Sequence, residues 1–245
     1  MIETQFLWGN GLMIAPVLEQ GVKVIQVYFP QGSWYDYTTL KPVTFSESEP
    51  VTLNELEPVT FSESEPVALN ESEPVTLNES GSVRYESKGE KKDIKLELDE
   101  IGVYVHGGSV IATQEPKMTT SEQRKGGFEL IVALDKNASQ QAKGQLYWDD
   151  GDSLDSVILI QYTLIDFNVT NNVLVSNPLV TGYREPQHDG QPDVKVTKVK
   201  VLGTGKVSAV SLDGKQIKTW DSFEDRIEVQ LDRTLLTRFE LSWSA

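Results

Sequence analysis

The chain has 245 residues, a net charge of −15 at pH 7 and an isoelectric point of about 4.6. This acidity argues against nucleic acid or an anionic membrane surface as a partner, because both require a basic protein face. No apolar run reaches the ~18–20 residues of a membrane-spanning helix, and the N-terminus lacks a basic segment followed by an apolar one, so we expect neither a membrane span nor a signal peptide in this chain. Because there is no cysteine, disulfides and thiol chemistry are excluded.

The chain opens with an apolar stretch, residues 5–17, which two glycines interrupt and Pro16 ends. It is too short and interrupted for a helix and predicts a buried strand entered through a tight bend. Residues 22–29 are rich in β-branched and aromatic side chains and run into Pro30-Gln31-Gly32, which predicts a strand and a hairpin bend. Residues 33–37 begin the returning strand. We expect their aromatic side chains to fill the space between two sheets, with stacking on sugar rings as the alternative.

Residues 41–80 repeat with a period of eight, and each copy begins with proline and valine. The segment holds nine Glu and one Lys, and so carries about half of the net charge. Regular proline and dense like charge favour a flexible loop over a stack of short strands, because each copy offers only one Val and one Phe or Leu to a core. We therefore expect deletion of residues 43–80 to leave the melting of the remaining chain almost unchanged.

Strand signals continue after the repeat. Residues 94–98 alternate between apolar and charged side chains, as in a half-buried strand, and residues 101–112 predict two strands separated by glycines. The step Glu115-Pro116 and the polar stretch after it mark a domain boundary. A change of phase within 194–202 predicts a β-bulge, and Asp213-Gly214 predicts a type I′ hairpin turn. The further predicted strands are residues 128–134, 144–148, 157–167, 173–176, 227–231 and 239–243.

No segment shows a sustained helical period. Many short strands separated by turns predict an all-β fold. We expect two antiparallel β-sandwich domains, residues 1–115 and 116–245, with an acidic octapeptide-repeat insertion at 41–80.

Asp149, Asp150 and Asp152 form the densest acidic cluster outside the repeat. Hard cations take several oxygen ligands, but this spacing lacks the distal Glu of an EF-hand loop, and Asp-rich turns accept hydrogen bonds from their own backbone. The cluster therefore predicts a turn, and we assign no metal ligand and no cofactor.

The letters G-D-S-L at residues 151–154 are also found in a class of serine esterases, which would make Ser153 a nucleophile. That class requires an α/β scaffold and an Asp-x-x-His near the C-terminus, whereas this chain offers only Glu185-x-x-His188 in a β context. His106 lies beside two glycines, which favours a turn or strand end. We assign no catalytic residue.

Three motifs resemble the C-terminal β-domains of glycoside hydrolase family 31, the α-glucosidase family. They are Q-F-L-W-G-N-G-L-M-I-A-P-V at residues 5–17, Y-F-P-Q-G-S-W-Y-D-Y at 28–37 and L-Y-W-D-D-G-D-S-L at 146–154. The family's nucleophile motif, W-x-D-M-N-E, is absent from this sequence, so the resemblance implies architecture without the catalytic carboxylate pair. It predicts no α-glucosidase turnover by this chain alone.

The resemblance implies that this chain braces a catalytic barrel that it does not contain, and that the whole enzyme is secreted or lysosomal. The side chains expected to face the barrel are Phe6, Leu7, Trp8, Leu12 and Met13. Sequons consistent with a secreted glycoprotein lie at Asn70, Asn78, Asn137 and Asn168. Two alternatives stay open: a free-standing carbohydrate-binding protein, and an extracellular structural protein whose octads are the functional part.

Overall fold

The computed structural model describes residues 3–46, 83–136, 140–184 and 194–244. Within these ranges the protein is built of β-strands and one short helix, so the all-β prediction is confirmed. The first ten strands are β1 Phe6–Trp8, β2 Leu12–Ala15, β3 Val24–Phe29, β4 Gly32–Asp36, β5 Phe45–Ser46, β6 Val83–Arg84, β7 Glu86–Ser87, β8 Glu90–Lys95, β9 Gly102–His106 and β10 Ser109–Gln114. Helix α1, Thr120–Arg124, follows. The remaining strands are β11 Phe128–Ala133, β12 Ala142–Trp148, β13 Thr163–Thr170, β14 Val173–Thr181, β15 Lys195–Leu202, β16 Ala209–Leu212, β17 Lys215–Ile217, β18 Trp220–Ser222, β19 Arg226–Thr234 and β20 Phe239–Ser244.

The first unit is a small sandwich. A five-stranded sheet in the order β1-β2-β9-β4-β7 covers the paired strands β3-β8 and β5-β6. Its core is aromatic: the Phe29 ring lies 4.9 Å from the Tyr104 ring and 5.5 Å from the Phe45 ring, both edge-on. Met13 and Trp34 complete this core from β2 and β4.

The strands on either side of Pro30 do not form the predicted hairpin. β3 pairs with β8, whereas β4 pairs with β7 and β9, so the chain crosses from one layer of the sandwich to the other at this bend. Gly32 has a φ of 129°, and a Cβ there would lie 2.7 Å from His106 Nε2. The sequence predicts the bend itself correctly, but a turn signal does not specify whether the next strand returns to the same sheet.

The second unit is one eleven-stranded sheet in the order β17-β16-β20-β14-β13-β12-β10-β11-β15-β19-β18. Side chains from both halves of this order share one buried cluster, so the sheet folds over and packs against itself as a sandwich. Most pairs are antiparallel, but β11 pairs with β15 in parallel, and β10 meets β12 in parallel at Ser109 and Lys143.

Local signals in this unit gave mixed results. The hairpin at Asp213-Gly214 is confirmed, since both residues have positive φ and join β16 to β17. The bulge is confirmed by a register shift between Val196 and Lys198. The strand predicted from residue 157 is wrong at its start, because β13 begins at Thr163 and an exposed turn precedes it.

α1 lies between β10 and β11, and within the described ranges no helix is long and apolar enough to cross a membrane. β10 belongs to the second sheet, so a division of the chain by sheet membership falls near residue 108.

A buried cluster joins the two units. Tyr35 and Val105 from the first sheet pack against Ile131, Ala133 and Leu202 from the second. We call these five residues the junction core.

The Tyr35 hydroxyl donates a hydrogen bond of 2.8 Å to the carbonyl oxygen of Leu134, and both groups are buried. Burial, and then the charges of Asp225 and Asp135, raise the pKa of Tyr35 far above its usual range, so the hydroxyl remains a donor at any ordinary pH. Gly203 has a φ of 85°, and a Cβ there would lie 2.3 Å from Tyr35 Oη. The hydroxyl therefore occupies space that is free only because residue 203 is glycine.

The first copy of the octad contributes to the core of the first unit. Val43 and Phe45 are buried in it, and Lys92 Nζ donates to the carbonyl oxygen of Thr44. The expectation that deletion of residues 43–80 leaves stability unchanged therefore conflicts with the structure, because the deletion removes two core side chains. Residues 47–82, which hold the later copies, lie outside the described residues.

Replacing Tyr35 with Phe should destabilise the protein by about 1–3 kcal/mol, because it leaves the buried Leu134 carbonyl without a donor. Urea denaturation gives the change. Tyr37→Phe is the matched control, since no hydrogen bond of its hydroxyl is found among the described residues, and should change stability by at most about 0.5 kcal/mol. Equal effects of the two substitutions would contradict a special role for the Tyr35 hydrogen bond.

Replacing Phe45 with Ala should cost about 3–5 kcal/mol, the usual effect of deleting a buried aromatic side chain. The same substitution at Phe61, the equivalent residue of the third copy, should have little effect if the later copies form the predicted loop. Thermal unfolding followed by tryptophan fluorescence compares the two variants. A large loss at Phe61 would mean that the later copies also pack into a core.

Candidate interaction surface

The hairpin of β1 and β2 lies at the edge of the first sheet. Phe6 pairs with Ile14 and Trp8 with Leu12, and the loop between the strands begins at Gly9, which has a φ of 64° that favours glycine. β1 is the last strand of its sheet in the described part of the chain. The hairpin thus presents an open strand edge, a feature that proteins usually pair or cover.

All three side chains of β1 are exposed: Phe6 by 56%, Leu7 by 54% and Trp8 by 73%. Successive residues of a strand point to opposite faces, so three exposed residues in a row mean that neither face of β1 is covered. Large apolar side chains clustered on an unpaired edge are typical of a surface that a partner buries. We call Phe6, Leu7 and Trp8 the β1 surface.

Of the two β2 residues expected on the same surface, one is buried away from it and the other lies beside Trp8. Met13 is fully buried in the core of the first unit, so the expectation that it faces a partner is wrong. Leu12 is half-buried against the junction core. The reason is that β2 lies between β1 and β9, and an apolar sequence does not distinguish a central strand from an edge strand.

An open groove of about 710 Å³ continues the β1 surface toward the second unit. Trp8 and Leu12 form its wall on the hairpin side. Lys143, Gln145 and Asp166 line the opposite side, where Gln145 Nε2 donates a 3.1 Å hydrogen bond to Asp166 Oδ1. The surface therefore combines an apolar strand edge with a polar rim.

Gln5 fixes the position at which β1 begins. Its Nε2 donates to the carbonyl oxygen of Tyr28 at 2.7 Å, and its Oε1 accepts from the Tyr28 backbone N–H at 2.8 Å. The carboxamide thus makes the pair of hydrogen bonds to Tyr28 of β3 that a neighbouring strand would otherwise make. Nothing in the sequence distinguishes this glutamine from a solvated polar residue.

The acidic cluster forms the turn that the sequence predicts. Asp149 Oδ1 accepts from the Gly151 N–H at 2.9 Å, and its Oδ2 accepts from Tyr147 Oη and Ser156 Oγ, both at 2.9 Å. Asp150 Oδ1 accepts from the backbone N–H groups of residues 152 and 153 at 3.1 and 3.0 Å. These carboxylates serve as acceptors that hold the turn closed.

Hydrogen bonding also sets the acidity of this turn. The Ser153 hydroxyl and backbone N–H, and then the Asp152 N–H, lower the pKa of Asp150 from 3.8 to about 2. For Asp149, burial raises the pKa, but hydrogen bonds from Ser156 and Tyr147 outweigh it and the net shift is downward. Ser153 Oγ donates to Asp150 Oδ2 rather than to a histidine. This is not the geometry of an esterase nucleophile.

The sequence profile described as the glycosyl hydrolase family 31 C-terminal domain matches residues 1–111. The chain is 36% identical to intestinal sucrase-isomaltase of Rattus norvegicus over 201 residues, which are 82% of this chain and 8% of that protein. It is 32% identical to lysosomal alpha-glucosidase of Rattus norvegicus over 246 residues, which are 99% of this chain and 22% of that protein. The chain belongs to glycosyl hydrolase family 31.

Solved structures agree with the fold of this family 31 chain. The alpha subunit of glucosidase II superposes with a TM-score of 0.68 at 20% identity, over 99% of this chain and 24% of that chain. A family 31 dextranase of Flavobacterium johnsoniae gives 0.67 at 17% identity, over 100% of this chain and 27% of that one. At such identities the likeness shows the fold.

This family 31 chain spans only 6% to 22% of the length of the curated relatives it matches. Residues 1–111 correspond to the C-terminal domain of that family.

The other residues considered from sequence lie apart from the β1 surface. His106 packs on Trp34 with ring centroids 4.7 Å apart, and Trp34 and Tyr35 are buried in the cores, as the packing interpretation expects. Trp148 packs against Phe128 at 5.1 Å. His188 lies outside the described residues.

A second apolar surface was missed. The turn at residues 154–160 exposes Leu154 by 99% and Ile158 by 79%. Its β-branched and aliphatic composition suggested a strand instead, because composition does not report exposure.

The lowered pKa of Asp150 should be measurable by NMR titration. Since the folded pKa lies below its ordinary value, the carboxylate supports the turn fully above about pH 4, and this support is lost as the pH falls toward about 2. Asp150→Asn should remove the transition and weaken protection of the amides of residues 152 and 153 at neutral pH.

Asp152→Asn is the control, because in the described part of the chain the Asp152 carboxylate accepts no hydrogen bond. It should leave the titration of Asp150 in place. A midpoint for Asp150 at the value of an ordinary aspartate would contradict the proposed turn geometry.

Proposed function

We propose that this chain is the non-catalytic C-terminal part of an α-glucosidase and braces the enzyme's catalytic barrel through the β1 surface. The observation that carries the proposal is the simultaneous exposure of Phe6, Leu7 and Trp8 on an unpaired strand edge. Burying each of these three side chains would contribute about 1.5–3 kcal/mol of favourable free energy, relative to leaving it in water. That gain is available only when another part of the enzyme covers them.

The open edge of β1 adds a directional element to this contact. Its backbone N–H and C=O groups can pair with an extended segment of the barrel, as in β-strand addition. The polar rim at Lys143 and Asp166 would surround the apolar centre, the usual arrangement of a protein–protein interface. The whole surface is thus suited to a permanent neighbour.

The reaction proposed for the complete enzyme is hydrolysis of terminal α-linked glucose, in agreement with relatives named alpha-glucosidase and sucrase-isomaltase. Its chemistry requires two carboxylates about 5–5.5 Å apart if the configuration is retained. In this chain the clustered carboxylates of Asp149 and Asp150 are engaged by their own turn. The catalytic pair is therefore proposed to reside in the barrel, supplied by the same gene product or by a separate chain.

We place the complete enzyme outside the cell or in a lysosomal or other endomembrane compartment. The support is the naming of its relatives, which are called intestinal and lysosomal.

One observation favours a second function, carbohydrate binding by the chain itself. Trp8 is the most exposed residue of the β1 surface and lies at a groove with Lys143, Gln145 and Asp166. An exposed aromatic ring beside hydrogen-bonding side chains is a common arrangement for stacking a sugar. The two functions differ in what occupies the groove.

Binding between separately produced polypeptides tests the bracing role. The chain and a family 31 barrel from the same source organism should form a complex that survives size-exclusion chromatography. Replacing Phe6, Leu7 and Trp8 together with Ser should weaken the complex by about 2 kcal/mol or more, a factor of about 30 in Kd by calorimetry. The loss reflects the removal of a central apolar anchor.

The matched control replaces Leu98 and Met118 with Ser, because both are almost fully exposed but belong to no cluster. This variant should bind like the unmodified chain. Failure of the unmodified chain to bind the barrel would sink the bracing role. Binding of a malto-oligosaccharide that is lost in both Trp8→Ser and Asp166→Asn would favour the carbohydrate-binding function instead.

A further inference from the structure

We propose that Asn168 carries an N-linked glycan. Asn168 and Thr170 lie on the outward face of β13 and are exposed. Phe167, which precedes them, and Val169, which lies between them, are buried. The strand period thus directs both functional side chains of the sequon Asn168-Val169-Thr170 into solvent. This inference rests on the proposed passage of the enzyme through the secretory pathway.

The side-chain geometry fits the chemistry of the modification. Thr170 Oγ1 donates a 3.2 Å hydrogen bond to Asn168 Oδ1, so the hydroxyl and the carboxamide are already in contact. Across residues 3–46, 83–136, 140–184 and 194–244, no group accepts a hydrogen bond from Asn168 Nδ2. The reactive nitrogen therefore gives up no hydrogen bond of the fold when it is modified.

The donor implied is an oligosaccharide linked to a polyprenyl pyrophosphate, presented by the secretory pathway's transferase. Asn168 Nδ2 forms a bond to the anomeric carbon of the first sugar. The bond from that carbon to the pyrophosphate oxygen breaks, and the lipid pyrophosphate leaves with the bonding electron pair. One N–H proton passes to a base of the transferase, so no oxidation or reduction takes place.

The folded chain also has room for the product. Asn168 borders an open groove of about 400 Å³ whose rim includes Asn177 and Arg238. The strand ends two residues later, where Asn171 and Asn172 both have positive φ and form the tight turn into β14. A glycan attached there extends over this outer face and displaces no core residue.

A glycan at this position assigns the part of the outer face of β13 and β14 around Asn168 to solvent. Val173 and Val175 are only half-buried on that face and would lie beneath the sugar. Asn168 is the cross-strand partner of Lys143, which lines the groove beside Trp8. The proposed glycan therefore marks the place on this face where the barrel-facing rim ends and the solvent-facing part begins.

Secretion of the full chain from mammalian cells behind a heterologous leader tests the site without relying on the natural localisation. In a background in which Asn70, Asn78 and Asn137 are replaced with Gln, we expect most of the secreted chain to shift in mobility when treated with peptide N-glycosidase. Peptide mapping should find Asn168 as a glycopeptide before that treatment and as aspartate after it.

Variants distinguish sequon chemistry from a general effect on folding. Asn168→Gln and Thr170→Val should abolish the shift, whereas Thr170→Ser, which keeps the hydroxyl, should retain it. Asn177→Gln is the matched control, because Asn177 is exposed on the same face of the neighbouring strand but is followed by Pro178 and belongs to no sequon. If a variant is not secreted, mapping of the secreted chain with intact Asn168 decides the matter. An unmodified Asn168 in that chain overturns the proposal.

Discussion

The contact on which the structure depends is the packing of Tyr35 between the two units. Its ring belongs to the first sheet and lies in the junction core with Ile131 and Leu202 of the second, while its hydroxyl reaches the Leu134 carbonyl. A tyrosine suits this position because it fills an apolar space and still satisfies a buried acceptor. A second link lies nearby, where the Gly108 N–H donates to the Ala133 carbonyl oxygen at 2.8 Å. The two sandwiches therefore share a buried, hydrogen-bonded interface.

This junction gives the β1 surface its form. Leu12 packs on the junction core, and its cross-strand partner Trp8 extends from there over the groove that Lys143 borders. One wall of the groove comes from the first unit and the other from the second, so the relative position of the units fixes its shape. The proposed bracing role requires a fixed position of the two units, because a support whose halves moved independently would not hold a barrel in place.

The motifs that connect this chain to family 31 serve architecture. Trp34 donates its indole N–H to the Pro30 carbonyl oxygen at 2.8 Å, and Asp36 accepts from the Thr39 backbone N–H at 2.6 Å. Asp149 and Asp150 close their turn in the same manner. Aromatic and acidic residues that resemble a binding site in sequence are thus accounted for by packing and turn formation.

The sequence by itself determined what depends on near neighbours: the all-β class, most of the strand positions, the Asp213-Gly214 hairpin, the bulge near Val196 and the Asp150 turn. These features follow from side-chain period and local hydrogen bonding, which act over a few residues. Only the tertiary structure decided which strands pair with each other and which apolar side chains are buried. Met13 is buried while Trp8 is exposed, and Phe45 belongs to a core although it lies in the first copy of an acidic repeat. The physical reason is that burial is set by contacts between strands far apart in the chain, and a local pattern cannot specify them.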